Sequence, residues 1–178
     1  PKESGFEWEY FHANAVTIDT DGNFLVSGRN VSTIYKINRA TGKIMWRLGG
    51  KQSDFKLGKG VRFDYQHNIR RQADGTLTLF DNSAAPPTKK ASRAITIRLD
   101  EQAKTATLVS AFTHPDKLLS SSQGNNERLP NGDEFVGWGS QPFISEYDRS
   151  GNLLLDGRLP GHDQTYRARR ERWVGKPL

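Results

Sequence analysis

Three turn dipeptides constrain the fold more than any other feature of the sequence. Asp21-Gly22, Asp74-Gly75 and Asn131-Gly132 each lie between two short runs rich in β-branched and aromatic residues. Such a dipeptide between apolar runs is the strongest local signal for a β-hairpin. The turns are 53 and 57 residues apart, and a repeat of this period predicts propeller blades or a solenoid.

The repeat can be aligned on these turns, and each copy then contains four predicted strands. They lie at 14–19, 24–27, 33–37 and 43–47, at 66–71, 76–80, 93–99 and 106–112, and at 123–129, 134–138, 143–147 and 153–159. Four-stranded units that repeat around an axis are typical of a β-propeller. The sequence therefore predicts an all-β partial propeller in a single domain, 1–178, with blades at about 12–50, 62–114 and 120–160 and the start of the next blade at 165–178.

Three blades and part of a fourth cannot close a ring, because propellers typically have four to eight blades. We therefore expect the chain to be a piece of a longer one whose remaining blades cover its flanks, or a self-association partner to cover them. The first five residues include neither a Met nor an apolar stretch of signal-peptide type, so the native chain is expected to begin earlier.

Composition and charge exclude several classes of protein. The 178 residues include no cysteine, which excludes disulfides, thiolate metal sites and a cysteine nucleophile. The longest aliphatic run is three leucines at 153–155, far short of the roughly 20 residues that span a bilayer. Of the net charge of +6, a large part lies in residues 166–178. Nucleic-acid binding is not predicted, because it requires basic residues spread along one face.

The first strand of each blade is unusually polar for a strand that lines a propeller channel. A purely structural inner strand should alternate apolar and small residues, whereas these segments are rich in His, Asn and Gln. The sequence predicts a polar pocket at the axis, lined by His12, Asn14, His67, Asn68, Gln123 and Asn125. The third copy has Gly124 at the register position that Asn14 and His67 occupy in the first two.

Two histidines near a channel can serve as a nucleophile, a general base or donors to an anion. The alternative is that His12 and His67 only bond carbonyl groups across the blades. Zinc is a weak alternative, because no third ligand stands at a fixed spacing, and no metal is predicted. The remaining two, His114 and His162, are expected in interblade loops without a chemical role.

Two further side chains are candidates for a ligand site. Arg93 offers a planar guanidinium suited to sulfate, phosphate or carboxylate, although it is also compatible with an ordinary surface arginine. Trp138 lies between two glycines, so it either forms the floor of an aromatic pocket or packs between blades.

The order of several short motifs resembles the repeat of the bacterial and fungal arylsulfotransferase (arylsulfate sulfotransferase) family. The motifs are 11–14 (FHAN), 34–38 (IYKIN), 44–50 (IMWRLGG), 66–68 (QHN), 80–82 (FDN), 92–94 (SRA), 129–132 (LPNG), 137–140 (GWGS) and 166–168 (YRA) with Trp173. The resemblance covers nearly the whole chain.

This resemblance implies a six-bladed propeller in which a channel histidine accepts a sulfuryl group from an aryl sulfate and passes it to a phenol. It implies no nucleotide donor and no cofactor, and an extracytoplasmic location, periplasmic or secreted. His12 and His67 match channel histidines of the family, and Arg93 matches an arginine that contacts the sulfuryl group. If His67 is the acceptor, transfer should fall as the pH drops through about 6.5, the ordinary pKa of histidine.

The sequence departs from the family at Gly124. Characterised bacterial members use further channel histidines, including the one that becomes sulfated, and Gly124 stands at the corresponding position. Three interpretations follow: His67 takes the role of nucleophile, the nucleophile lies outside these residues, or the activity is lost. A non-catalytic propeller that binds a glycan, an anion or a protein, and a scaffold without a ligand site, are the competing hypotheses.

Overall fold

The computed structural model describes residues 9–161, 163–172 and 174–176, and in this part of the chain β-strands form the regular structure. Blade 1 consists of β1 (Ala13–Ile18), β2 (Phe24–Gly28), β3 (Thr33–Ile37) and β4 (Ile44–Gly49). Blade 2 consists of β5 (Lys56–Leu57), β6 (His67–Arg71), β7 (Leu77–Asp81), β8 (Arg93–Asp100) and β9 (Thr105–Phe112). Blade 3 consists of β10 (Asn125–Arg128), β11 (Glu134–Gly137), β12 (Phe143–Tyr147) and β13 (Leu153–Arg158).

Each blade is an antiparallel meander, with strand orders β1-β2-β3-β4, β6-β7-β8-β9 and β10-β11-β12-β13. The all-β partial propeller predicted from the repeat is confirmed. One strand was not predicted: β5 pairs in parallel with Thr105 and Ala106 at the outer edge of blade 2. Where the next blade was predicted to start, residues 163–172 form no strand, although Ala168 bonds to Asn125 at the beginning of β10.

The three predicted hairpin turns share one geometry. Gly22, Gly75 and Gly132 have φ angles of 81°, 78° and 89°, a region that glycine adopts without steric cost. In each turn the glycine N–H donates to the carbonyl oxygen of the residue three positions earlier, at 2.9, 2.9 and 2.8 Å. These turns set the register in which β1, β6 and β10 correspond.

The strands β1, β6 and β10 are the inner strands of the propeller, because β1 packs against β6 and β6 against β10. Two apolar clusters hold the blades together. The first, between blades 1 and 2, includes Leu25, Ile34, Leu48, Ile69, Leu79 and Ile95; the second, between blades 2 and 3, includes Phe80, Phe112, Val136, Trp138 and Tyr147. Burial of each such side chain stabilises the fold by about 1.5–3 kcal/mol.

His114 lies in the second interface, as a buried residue whose Nε2 is 3.1 Å from Asp156 Oδ1. Its ring is 4.7 Å from that of Phe143, measured between centroids. His162 lies outside the described residues. Nowhere in the described ranges is there a helix with the length and apolar character needed to cross a membrane.

One face of blade 1 is apolar and open. Along β1, Ala15 is buried toward blade 2, whereas Val16 and Ile18 are 62% and 63% exposed. On the same face Val16 lies opposite Val26, and Ile18 lies opposite Phe24. In a propeller, the neighbouring blade covers such a face.

The open face should make the 178-residue chain self-associate when it is expressed alone, because contiguous exposed apolar surface drives association. The double variant Val16→Thr and Ile18→Thr should shift the chain toward monomer in sedimentation velocity. The control is Val109→Thr, at a position 51% exposed on β9 of blade 2, which should leave the distribution unchanged. An unmodified chain that sediments as a single monomeric species would contradict this prediction.

Candidate functional site

A residue whose backbone φ angle is positive, in the left-handed region, stands just before the start of each inner strand. His12 directly precedes β1 with φ 54°, and Tyr65 and Gln123 stand two residues before β6 and β10 with φ of 57° and 64°. Non-glycine residues seldom adopt this conformation, and such strain concentrates at functional sites. We call the group His12, Arg29, Tyr65, His67 and Gln123 the histidine end of the channel.

His67 is a buried imidazole with both ring nitrogens engaged. Its side chain belongs to a residue only 4% exposed. The backbone N–H of Gln123 donates to Nε2 at 3.2 Å, so Nε2 carries no proton and Nδ1–H donates to Asn82 Oδ1 at 2.7 Å. The amide of Asn82 is itself oriented, because Nδ2 donates to the carbonyl oxygen of Gln123 at 2.9 Å. His67 thus joins blade 2 to the beginning of β10.

Burial lowers the pKa of His67 to about 4, and electrostatic interactions with Arg29 and His12 lower it further, against the bond to Asn82. The imidazole is therefore neutral at pH 7. A neutral imidazole is the form that attacks an electrophile, but here the lone pair of Nε2 already accepts the Gln123 N–H.

His12 has the opposite environment. Its side chain is 40% exposed, and its Nδ1 is 2.7 Å from a carboxylate oxygen of Glu9. Nε2 makes no hydrogen bond within the described ranges. A carboxylate on Nδ1 orients the ring and leaves Nε2 as the reactive nitrogen.

Arg29 adds a cation beside these histidines. One Nη donates to Ser121 O at 2.9 Å and the other to Asn30 Oδ1 at 2.8 Å, and the guanidinium carbon lies 5.2 Å from the centroid of the Tyr65 ring. Burial lowers the pKa of Arg29, while Tyr65 and Glu9 act in the opposite direction. Sequence reasoning missed this residue, because it follows β2 in a loop that has no strand pattern.

The Arg93 side chain forms its hydrogen bonds within blade 2. Its Nε and Nη2 donate to Asp81 Oδ2 at 3.1 and 2.6 Å, and its remaining bonds go to the carbonyl oxygens of Gly60 and Arg62 at 3.2 and 2.9 Å. These contacts hold the 60–62 loop against β7 and β8. A contact of Arg93 with a sulfuryl group stays a prediction.

Trp138 is fully buried in the interface of blades 2 and 3. Its Nε1–H donates to Ser145 Oγ at 2.8 Å, and its ring meets Phe80 and His114 edge-on at centroid distances of 5.7 and 5.4 Å. Of the two interpretations of this tryptophan, these contacts favour packing between blades.

The asparagines of the inner strands link neighbouring blades. Asn14 Nδ2 donates to Gln66 O at 2.7 Å. Asn125 donates to Ala168 O and accepts from the Ala168 N–H, both at 2.7 Å. Asn68 and Asn125 also line a cavity on the inner strands. The Gln123 side chain donates to Gln164 Oε1 at 3.3 Å.

Gly124 stands where it does for a steric reason. It has φ 97°, and a Cβ added there would lie 2.5 Å from a ring carbon of Phe80. Phe80 belongs to the core of blades 2 and 3. The third blade therefore has no room for a side chain at the register position of His67.

No group of three His, Cys, Asp or Glu side chains in the described ranges is arranged to hold an ion.

The fold and this geometry define a β-propeller protein that gathers two histidines and an arginine at one end of its inner strands. The chain belongs to the arylsulfotransferase (ASST) family, which it matches over residues 2–159. The resemblance noted in the sequence is thereby confirmed. No curated protein matches the chain.

Solved structures with a similar fold include two lyases of distant sequence. Virginiamycin B lyase from Staphylococcus aureus superposes with a TM-score of 0.54 at 18% identity, over 86% of this chain and 43% of the lyase. A streptogramin B lyase superposes with a TM-score of 0.54 at 15% identity, over 84% of this chain and 41% of the lyase. The chain thus spans less than half the length of these structures, and the likeness concerns the fold alone.

Replacing Gly124 by alanine should destabilise the protein by more than the usual cost of a left-handed alanine, about 1 kcal/mol. The added Cβ must displace Phe80, which overpacks the core, at about 1–3 kcal/mol more. Gly75→Ala is the matched control, because its φ is 78° and no atom lies within 4 Å of an added Cβ. Urea unfolding of the complete gene product measures both, and equal losses would refute the steric explanation.

The neutral, buried His67 should make stability depend on pH. Because its folded pKa of about 4 lies below the ordinary 6.5, its contribution is complete above pH 6.5 and is lost as the pH falls toward 4. Between pH 7 and pH 4.5 the complete gene product should lose about 2–3 kcal/mol through this group. His67→Gln removes the titration, so urea unfolding of the variant should show a smaller loss. The same loss in both proteins would contradict the assignment.

Proposed function

We propose that this protein is an arylsulfotransferase that transfers a sulfuryl group from an aryl sulfate to a phenol through a channel histidine. The observation that carries the proposal is the pairing of family membership with an exposed imidazole at the histidine end, whose Nδ1 is held by Glu9. Aryl sulfate and phenol are thus the proposed partners, and the extracytoplasmic location implied by the resemblance belongs to the same proposal. Fractionation of cells that express the complete gene product tests that location.

The geometry supports His12 as the acceptor over His67, the candidate favoured by sequence reasoning. For His67 to attack, the Gln123 N–H must first leave Nε2, and a path must open to a residue that is 4% exposed. Neither change is needed for His12. In this assignment His67 is a positioning residue that holds the backbone of Gln123 at the histidine end.

The reaction divides one displacement into two. First, His12 Nε2 forms a bond to the sulfuryl sulfur while the bond from sulfur to the aryl oxygen breaks, and the phenolate leaves with the electron pair. Glu9 offsets the positive charge that develops on the ring, through its contact with Nδ1. Then the oxygen of the acceptor phenol attacks sulfur, its proton passes to solvent, and the N–S electron pair returns to Nε2. Arg29 supplies a cation for the sulfuryl oxygens.

Incubating the complete gene product with p-nitrophenyl sulfate, without an acceptor, should add about 80 Da, one sulfuryl group, to the peptide that contains His12. His12→Asn should abolish both this label and turnover. Arg29→Gln should lower turnover by about 100-fold, the usual cost of removing one such donor. Arg39→Gln, which removes an exposed arginine from the β3–β4 loop, is the charge-matched control and should leave turnover unchanged.

The position of the label separates the hypotheses. A label on the His67 peptide restores the sequence-based assignment, and a label outside residues 1–178 places the nucleophile elsewhere in the protein. Neither label nor turnover across a panel of aryl sulfates would refute the enzyme and leave the non-catalytic binding propeller.

The pH dependence gives an independent check on His67. With a pKa of about 4, this imidazole stays neutral well below pH 6.5, so a reaction at His67 should retain its rate to about pH 5. A rate that falls through about 6.5 indicates a histidine of ordinary pKa.

A further inference from the structure

A small cavity of about 200 Å³ lies along the inner strands, apart from the residues of the histidine end. Residues of β6, of β10 and of the segment 167–169 form its walls. Five arginines line it, with one glutamate, and they are Arg70, Arg71, Arg128, Arg167, Arg169 and Glu127. We call it the arginine cavity.

Two of the five arginines form ion pairs with carboxylates. Arg71 binds both oxygens of Asp19 at 2.9 and 3.0 Å. Arg128 donates to Glu134 Oε1 at 2.7 Å and to Asp74 Oδ2 at 3.2 Å. These ion pairs build the wall and leave little charge for a ligand.

The other three arginines have no such ion pair among the described residues. The side chains of Arg70 and Arg169 make no hydrogen bond or ion pair with the part of the chain that the structure describes. Within the described ranges the Arg167 side chain donates only to the carbonyl oxygen of Asn14, at 3.3 Å, and it lies over the ring of Tyr166. Glu127 is the single carboxylate among them, and its Oε2 accepts the backbone N–H of Arg170 at 3.1 Å. An excess of two positive charges remains.

Such an excess in a partly enclosed space is unfavourable without a counterion. Arg70 is half-buried. Burial lowers its pKa, and the charges of Arg169 and Arg167 lower it further, whereas Glu127 acts in the opposite direction. Like charges held close together, with one of them half-buried, are stabilised by a bound anion.

We propose that the arginine cavity binds a tetrahedral oxyanion, sulfate or phosphate, either free or as the terminal group of a larger molecule. Guanidinium groups match such oxygens with paired, charge-assisted hydrogen bonds. The volume of about 200 Å³ is below the roughly 300–1,000 Å³ of sites that enclose a whole small molecule. The cavity therefore holds one charged group rather than an aromatic substrate.

This proposal does not depend on sulfuryl transfer, since none of the residues of the histidine end lines the cavity. Its test is accordingly a binding measurement. Titration calorimetry of the complete gene product with inorganic sulfate and with inorganic phosphate, in chloride buffer, should show binding of at least one of them. Arg70→Gln and Arg169→Gln should each weaken that binding by about 10- to 100-fold, the cost of losing bonds to a charged group. Arg39→Gln, in the exposed β3–β4 loop, should leave it unchanged.

Two further arms keep the test decisive. Arg169 is exposed, so Arg169→Glu should fold and should abolish binding even where Arg70→Gln is unstable in a thermal melt. Competition by p-nitrophenyl sulfate or p-nitrophenyl phosphate identifies a terminal group as the ligand, and its absence identifies the free ion.

Absent binding of both ions, or binding that Arg70→Gln and Arg169→Glu leave intact, would overturn the proposal. The sulfuryl label, measured on the same preparations, reports on the proposed function separately. A protein that binds the anion but is never labelled contradicts only the transferase.

Discussion

Buried amide side chains at the inner edge of the blades are the interaction on which the rest of the structure depends. Asn14 donates to Gln66 O, Asn82 donates to Gln123 O, and Asn125 bonds Ala168 in both directions. Each amide thus forms a hydrogen bond with a backbone group at or just before the next segment that approaches the axis. A buried carbonyl left without such a partner would cost about 1–3 kcal/mol. These bonds fix how each blade meets the next at the axis, and the apolar clusters fill the space outside them.

His67 belongs to this set of contacts, which changes how its chemistry is understood. A histidine that bridges Asn82 and the backbone of Gln123 holds two blades in register, and its neutrality follows from that burial. A residue that fixes register and also reacts must break the same bonds on each turnover. His12 and Arg29 carry no such conflict, because Glu9 orients the first and two loop oxygens orient the second while leaving donors free.

The fold followed from the sequence because its determinants are local. The turn glycines fix hairpins within a few residues, and their spacing repeats. The order of the strands could therefore be predicted without knowledge of long-range contacts. The two-residue β5 could not be predicted, because it forms only by pairing with β9, which lies far away in the sequence. For the same reason Arg93 and Trp138 kept two interpretations: Asp81 and Ser145, their partners, are brought to them by folding.

The polar inner strands show what a sequence pattern leaves undecided. A surplus of His and Asn at the axis has the same appearance whether it binds a ligand or a neighbouring blade, because both need donors at equivalent register positions. Gly124 is a further example, since its meaning depends on Phe80, a residue of the preceding blade. Arg29 follows β2 in a loop, whereas Arg70 belongs to β6 and Arg167 and Arg169 to the segment 167–169, so no repeat spacing in the sequence connects them.

Charge at the axis connects the two ends of the inner strands. Arginines without an ion-pair partner among the described residues raise the free energy of the folded state through mutual repulsion, so their grouping is unfavourable unless an anion binds in the channel. The same positive potential favours binding of the proposed anionic substrates at the axis. It also favours the neutral form of an imidazole nearby, as Arg29 does for His67. A cationic channel therefore binds anions and favours the neutral form of histidine. The proposed sulfuryl transfer to a histidine requires both. A bound oxyanion in the arginine cavity would reduce that potential, so occupancy there and the protonation of His67 are thermodynamically linked.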